Sequence, residues 1–357
     1  MKIKQLQRKL RERGIDFTVF YNMRTNRESV DMRYFADYPG YGFLIIPAKK
    51  APFLLAPMLD VEYALKSNVR FHNLKKDFME TISKKMSKAS KIGVDAKNFS
   101  ILAQKKFRKT FKNVRFEDIS DIVSELRMLK TEKEIKIIKQ ASNITNRIME
   151  NCIKSFGNFM TERDVYNFLR IECIKNNVEP SFDFVVAAGS SPATPHHVPK
   201  NKRLTKGFCV IDFGIRYRGY CTDMTRTVYI GSPSEKEKKI YDVVLNAQKE
   251  AINNISVGKK FSEIAEIARK NLGKYEKKFI HALGHGLGLE VHENPAVSKF
   301  SETEIQEGMY FTIEPGIYFP LRYGIRIEDD LLIHKGKAVN LTKVPKNLIS
   351  VKPKTFK

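Results

Sequence analysis

The sequence predicts an α/β domain followed by an α+β domain. Three observations predict it. The chain has 357 residues, enough for two domains at roughly 100–200 residues each. Its first third alternates short β-like runs with helical stretches. From Asp183 onward, β-rich segments rich in glycine, histidine and acidic residues flank two helices. The expected domains span 1–122 and 123–357.

Residues 1–14 read as a basic amphipathic helix ending at Gly14. Ile15 to Tyr21, Tyr41 to Ile46 and Phe53 to Ala56 read as strands, the last two joined by a turn in PAKKAP. Val61 to Ser67 looks helical, Ile92 to Asp95 looks like a short strand, and Ile101 to Thr110 like a basic helix. Asp121 to Met128 and Thr131 to Cys152 form a long helical stretch. Thr131 before Glu132 and Glu134 marks a helix start, and Ile135, Ile138, Ile144 and Ile148 recur along one stripe. Thr161 starts another helix through Val165, Leu169 and Ile171. Later helices are expected near 235–255 and 262–272.

A chain with 42% hydrophobic and 29% charged residues reads as globular rather than disordered. No apolar run approaches the length of a membrane span, and the charged N-terminus MKIKQLQRKLRERG does not read as a secretory signal. Four cysteines exclude a disulfide scaffold, so a cytoplasmic protein is expected. The net charge of +24 is densest early: residues 1–120 hold 26 of the 64 basic and 12 of the 40 acidic residues. No zinc-finger spacing, RNP-like aromatic pattern or basic helix with heptads accompanies it. The charge is therefore read as a lysine-rich surface, with no specific nucleic-acid partner and no membrane partner.

The chemistry concentrates in the second domain. Asp212 sits in VIDFG and Asp223 in CTDMTRT, both inside apolar β-runs where a lone carboxylate is costly. If the strands turn around Tyr217-Arg218, Asp212 lies opposite Asp223, with Cβ atoms about 4.5–5.5 Å apart. Two like charges that close call for a proton or a cation. Glu314 in YFTIEPG and Glu328 in GIRIEDD form a second pair. The midpoint falls on Leu321, so an odd-numbered loop sets the two glutamates opposite each other. His281, His285 and His292 come among glycines 284, 286 and 288, which disfavour a helix and predict an extended or looped backbone. Such oxygen-rich ligands suit Mn²⁺, Mg²⁺, Fe²⁺, Co²⁺ or Zn²⁺ better than Cu(I). Four carboxylates match the charge of two divalent ions, and two ions about 3.5–4 Å apart suit hydrolysis of a carbonyl compound.

These residues resemble the metallopeptidase family of methionine aminopeptidase, aminopeptidase P and prolidase, whose fold is called pita-bread. The resemblance rests on ATPHH, VIDFG with GYCTDMTRT, HALGHGLGLEVHENP, EGMYFTIEPGIY and GIRIEDDLLI. It covers most of the chain, most strongly about 180–345, and more weakly a creatinase-like N-terminal domain. The first domain, Pro195-His196 and the His292-Glu-Asn-Pro295 sequence resemble the prolidase and aminopeptidase P branch more than methionine aminopeptidase. The implied fold is a creatinase-like α/β domain plus an α+β pita-bread catalytic domain.

The resemblance implies two divalent metal ions per subunit, with Mn²⁺ ahead of Co²⁺, Zn²⁺ or Fe²⁺. Asp212 would bind one ion; Asp223 and Glu328 would bridge both; His285 and Glu314 would complete the second. Catalysis would fall to His196, His292 and Glu314, with His281 lining the proline-side pocket and Arg326 anchoring carboxylates. Thr225 would donate a hydrogen bond to a ligand. The implied reaction is hydrolysis of the Xaa–Pro bond in proline-containing peptides by a metal-bridging hydroxide, in a homodimer. Prolidase action on dipeptides and aminopeptidase P action on longer chains stay open at this point. An inactive relative serving as a scaffold would be expected to lose ligands, and a creatinase-like amidinohydrolase would not need the metals. The sequence departs from the family at Leu283, often Thr, and Ser191, often Asn, which bears on pocket shape. His197 reads as a non-catalytic neighbour of His196, and Cys209 and Cys221 as buried thiols.

Overall fold

The computed structural model describes residues 2–24 and 28–354. The chain divides into two compact units, Met1–Arg127 and Met128–Lys357.

The first unit is a six-stranded mixed sheet with helices on it. Its elements are α1 (Lys2–Glu12), β1 (Phe17–Asn22), α2 (Val30–Ala36), β2 (Gly42–Pro47), β3 (Phe53–Ala56), α3 (Val61–Leu65), β4 (Arg70–Asn73), α4 (Phe78–Lys85), β5 (Lys91–Val94), α5 (Ile101–Thr110), β6 (Arg115–Asp118) and α6 (Ser120–Met128). The strand order is β4-β3-β2-β1-β5-β6, with β1/β2 and β2/β3 antiparallel and the outer pairs parallel. α1 ends two residues before Gly14, whose φ of 64° glycine adopts without steric cost, and it buries Leu6 and Leu10. The expected boundary at 122 falls inside α6. That helix stays with the first unit because its side chains and backbone are tied there. Lys9 pairs with Glu125 at 2.6 Å, Arg13 with Asp121, and Arg127 with Asp31 at 3.5 Å, while the Tyr34 hydroxyl donates to the Leu126 carbonyl. The short helices α2 and α4 were not anticipated by the sequence reading.

The second unit begins with α7 (Glu132–Lys154) and α8 (Glu162–Lys175). Both start where the sequence placed a threonine cap. The Thr131 N–H donates to the Glu134 carboxylate, and Thr161 and Asp164 cap each other reciprocally. Then come β7 (Glu179–Pro180), β8 (Val185–Ala188), β9 (Gly207–Phe213), β10 (Ile215–Tyr217), β11 (Tyr220–Cys221), β12 (Met224–Ile230), α9 (Glu235–Asn253) and α10 (Phe261–Leu272). The chain continues with β13 (Gly284–Gly286), β14 (Glu293–Val297), β15 (Tyr310–Ile313), β16 (Gly316–Phe319), β17 (Tyr323–Arg326), β18 (Asp329–His334), β19 (Lys337–Asn340) and β20 (Ser350–Val351).

Two helix pairs each cover one sheet. Ile148, Val165 and Leu169 of α7 and α8 pack with Val186, Ile211 and Phe213 of the sheet ordered β20-β12-β9-β8. Tyr241, Val244 and Ile264 of α9 and α10 pack with Phe311, Ile313 and Leu331 of the sheet ordered β14-β13-β15-β18-β19. This duplicated arrangement accounts for the two acidic hairpins in the sequence. The sheets are stitched where they meet: the Glu328 N–H donates to the Thr225 carbonyl at 3.1 Å, and the Thr227 hydroxyl to the Arg326 carbonyl at 2.8 Å.

Candidate metal centre

The first hairpin closes on two residues, Arg218 and Gly219, with φ of 49° and 89°. This sets Thr225, rather than Asp223, opposite Asp212. The expected register is corrected by two residues. A strand repeats its faces every two residues, so Asp212, Asp223 and Thr225 keep the face predicted for them. Asp223 lies between β11 and β12, where pairing lapses, and its N–H donates to Asp330 Oδ2 at 3.2 Å.

In the second hairpin, Gly316 faces Arg326 and Phe319 faces Tyr323 around Pro320-Leu321-Arg322. Ile313 opposite Asp329 continues the same register across the gap. Glu314 and Glu328 are therefore opposed, as the midpoint at Leu321 predicts, in the break between the two ladders.

His285 arrives on the extended β13. Glycine is required beside it: a Cβ on Gly284 would come within 2.0 Å of the Thr312 carbonyl oxygen, so β13 and β15 pack closer than any side chain allows. His285 Nε2 lies 3.5 Å from Glu314 Oε1 and 3.7 Å from Asp223 Oδ2. One ligand atom from each of Asp223, His285 and Glu328 lies within 4.8 Å of the other two.

The electrostatics of this cluster call for a cation. Burial, then the charges of Glu328 and Asp212, push Asp223 well above the carboxylate range. Burial, then Glu314 and Asp212, does the same to Glu328. Burial pushes Glu314 up to about 8, with Arg326 only partly offsetting it. Burial lowers His285 to about 4, so the ring is neutral near neutral pH. Its Nδ1–H donates to the Gly286 carbonyl at 3.2 Å, which leaves the Nε2 lone pair facing carboxylate oxygens. Among the described residues, Asp212 Oδ1 and Asp223 Oδ1 are buried without a hydrogen-bond partner. Opposed acceptors with unsatisfied oxygens fit divalent ions.

Arg326 is buried and already engaged. It bonds Asp212 Oδ2 at 2.5 Å, the Tyr318 hydroxyl at 2.9 Å and Thr225 Oγ1 at 3.1 Å. Thr225 donates to Glu328 Oε2 at 2.7 Å. Tyr318 in turn donates to His281 Nε2 at 2.9 Å, since His281 Nδ1–H is spent on the Ala282 carbonyl at 2.7 Å. Burial, then Arg326, lowers His281 to about 4. The His292 ring lies 4.2 Å from that of His285, and burial, then His196, lowers its pKa. His196 lies on an exposed loop near enough for its charge to depress both His281 and His292. That loop rests on the second hairpin, where a Cβ on Gly324 would come within 2.0 Å of the Pro192 carbonyl oxygen. His197 is instead bound to Glu162 at 2.8 Å. All four cysteines are buried free thiols.

Sequence reasoning missed three residues. Arg226, 2% exposed, pairs with Asp329 at 2.8 Å and donates to the Glu328 carbonyl at 2.6 Å, fixing the backbone that carries the Glu328 carboxylate. Burial raises Asp329, but Arg226 and Lys346 outweigh it and hold the carboxylate below its usual range. Asp330 accepts from the Tyr310 hydroxyl at 2.6 Å, and burial pushes it up to about 8. The run Glu328-Asp329-Asp330 was the available signal: three consecutive acids in an apolar strand each need a separate partner.

The pattern of metallopeptidase family M24 matches residues 136–335, more than half of the chain. This chain belongs to metallopeptidase family M24. A creatinase/prolidase N-terminal domain matches residues 2–129. This M24 peptidase is 38% identical over 314 residues to the Xaa-Pro dipeptidase of Pyrococcus horikoshii, covering 86% of this chain and 88% of that one. An Xaa-Pro dipeptidase structure from Bacillus anthracis superposes with a TM-score of 0.91 at 32% identity, covering 98% and 99% of the two chains. An X-Pro aminopeptidase from Thermotoga maritima gives a TM-score of 0.88 at 32% identity, covering 96% and 100%. The M24 peptidase is thus a hydrolase with a creatinase-type first domain and a pita-bread catalytic domain. None of its described helices is long and apolar enough to cross a membrane.

Proposed function

We propose that this M24 peptidase hydrolyses the Xaa–Pro bond of dipeptides. The site observation that carries the reading is the convergence of Asp223, His285, Glu314 and Glu328, with Asp223 Oδ1 and the neighbouring Asp212 Oδ1 buried without a hydrogen-bond partner. Likeness over most of both chains to a dipeptidase supports the substrate class.

In this reading Asp212, Asp223, His285, Glu314 and Glu328 would hold two divalent ions, Mn²⁺ before Co²⁺, Zn²⁺ or Fe²⁺. Such ions supply Lewis acidity and a nucleophile at neutral pH. The chain does the rest. Thr225 fixes Glu328, and Thr312 donates to Glu314 at 3.4 Å. His196 and His292 contact the scissile carbonyl and pass a proton to the departing proline nitrogen. Glu314 also accepts a proton. His281, oriented by Tyr318, lines the proline side, and Arg326 adds positive charge for a peptide carboxylate. Four reduced cysteines support a cytoplasmic setting.

The test is hydrolysis by metal-reconstituted enzyme of Xaa–Pro against Xaa–Pro–Xaa. Cleavage restricted to the dipeptide supports the proposal. Release of the first residue from the tripeptide supports the aminopeptidase P reading, which the Thermotoga likeness favours. Failure on both, with metal bound, overturns the Xaa–Pro assignment.

A further inference from the structure

We propose that Glu162 is a positioning residue for His196. The inference rests on reading His196 as a group at the reacting carbonyl. Glu162 opens α8, and an acid in a first helical turn needs no special reason. Its surroundings do. The carboxylate is fully buried, and its three partners all lie on the segment that carries His196: one at each end and one on the residue beside it. Oε1 accepts from the Ala188 N–H at 2.9 Å, at the end of β8. Oε2 accepts from the Lys200 N–H at 3.1 Å and lies 2.8 Å from His197 Nε2.

The same helix start grips the segment further. The Glu162 N–H donates to the Lys202 carbonyl at 3.0 Å, the Arg163 N–H to the Lys200 carbonyl at 3.1 Å, and the Arg163 guanidinium to the Pro199 carbonyl at 2.5 Å. Lys202 Nζ reaches the Ser191 hydroxyl at 2.9 Å. His196 therefore sits between Pro195, whose φ is fixed, and His197, whose ring is held by a buried carboxyl group. An exposed imidazole on a loop has many places to be. The latch on its neighbour removes most of them before substrate binds, so less ordering remains for the reaction.

The experiment compares kcat, KM, metal content and melting temperature for Glu162→Gln, His196→Ala and the double variant, all metal-loaded. Glu162→Gln keeps the shape of the side chain but loses its charge and one acceptor. It should lower kcat about tenfold, with metal content unchanged and KM moved less than about twofold. On the His196→Ala background the same substitution should cost nothing more in kcat, because its effect passes through His196. A loss that persists in full on that background makes Glu162 merely structural and overturns the proposal. So does wild-type kcat in Glu162→Gln beside a crippled His196→Ala. Wild-type kcat in His196→Ala overturns the reading of His196 itself. If Glu162→Gln does not fold, His197→Leu reads the same latch from its other side, with the same expected non-additivity.

Discussion

The two acidic hairpins of the catalytic unit solve one problem in two ways. The first closes on two residues and the second on three. The first sets Thr225 against Asp212 and leaves Asp223 diagonal to it; the second sets Glu314 directly against Glu328. What they share is where the acids stand. Asp223, Glu314 and Glu328 all occupy lapses in the strand ladders, and only Asp212 lies inside one. A break frees the backbone from flat pairing, so carboxylates from two sheets can turn toward one point. The pairing that survives, between Glu328 N–H and the Thr225 carbonyl, fixes one hairpin on the other.

Removing metal tests both hairpins at once and carries the largest expected effect. Chelation should abolish peptidase activity, and Mn²⁺ or Co²⁺ should restore it. Stability of the chelated protein should also depend on pH in a definite direction. Glu314 goes from an ordinary 4.5 to about 8 in the fold, and Asp223 and Glu328 shift the same way. The folded state then holds protons that the unfolded chain releases, so stability falls as pH rises through about 8. His281 and His285, lowered from 6.5 to about 4, act oppositely, but only below 6.5. The window from 6.5 to 8 is therefore governed by the acids. The melting temperature of chelated protein should drop across that window while that of metal-loaded protein holds. A flat profile for both would mean that the acids do not compete for one charge.

The next test asks whether the hairpins share their ions. Asp223→Asn takes a carboxylate from the first and Glu328→Gln from the second. Each should lower bound divalent metal and activity by at least tenfold, because each removes a charged oxygen that the cations need to offset their own desolvation. Metal analysis beside an activity assay checks this. Unchanged stoichiometry and activity in both variants would refute bridging between the hairpins.

His196 belongs to neither hairpin, so it isolates chemistry from ligation. His196→Ala should retain metal and lose about 10²-fold in kcat, with a much smaller change in KM. His197→Ala should cost less, since its ring holds the loop rather than the substrate. Reversed magnitudes would exchange the two roles, and metal loss in His196→Ala would make it a ligand.

Much of the site was legible because strand parity is forgiving. A turn misjudged by one residue shifted the pairing by two and so still put Asp212, Asp223 and Thr225 on one face, whereas a pairing error of one residue would not have. Arg226 was not legible. Parity puts it on the face away from Thr225, and only the meeting of two sheets reveals its partner Asp329. The division at Arg127/Met128, where a boundary at 122 was expected, rests on similarly remote contacts. α6 is held by Asp31, Lys9 and Arg13, roughly a hundred residues earlier, and no local pattern records such pairs. Glu162 was hidden by a conventional signal, because an acid following a helix-capping threonine already had an explanation.

The smallest expected effect returns to the turns. Gly219 has φ 89° in the two-residue turn, and Leu321 has φ 61° in the three-residue one. Both occupy left-handed backbone, but only one is glycine. An L side chain there costs roughly 1–2 kcal/mol, whereas glycine gives back about 0.5–1 kcal/mol through its freer unfolded chain. Leu321 is 93% exposed, so removing its side chain forfeits little packing. Leu321→Gly should thus be neutral or stabilising by about 0.5 kcal/mol, a rise of about 1–2 °C in melting temperature. Gly219→Ala should do the reverse, costing about 1 kcal/mol, because the two-residue turn demands positive φ at both positions. Thermal unfolding of the two variants side by side reads the signs. If Leu321→Gly destabilises, the side chain has a contact that its exposure conceals. If Gly219→Ala is neutral, the first hairpin can adopt another turn, and the pairing of Asp212 with Thr225 is not fixed by Arg218-Gly219.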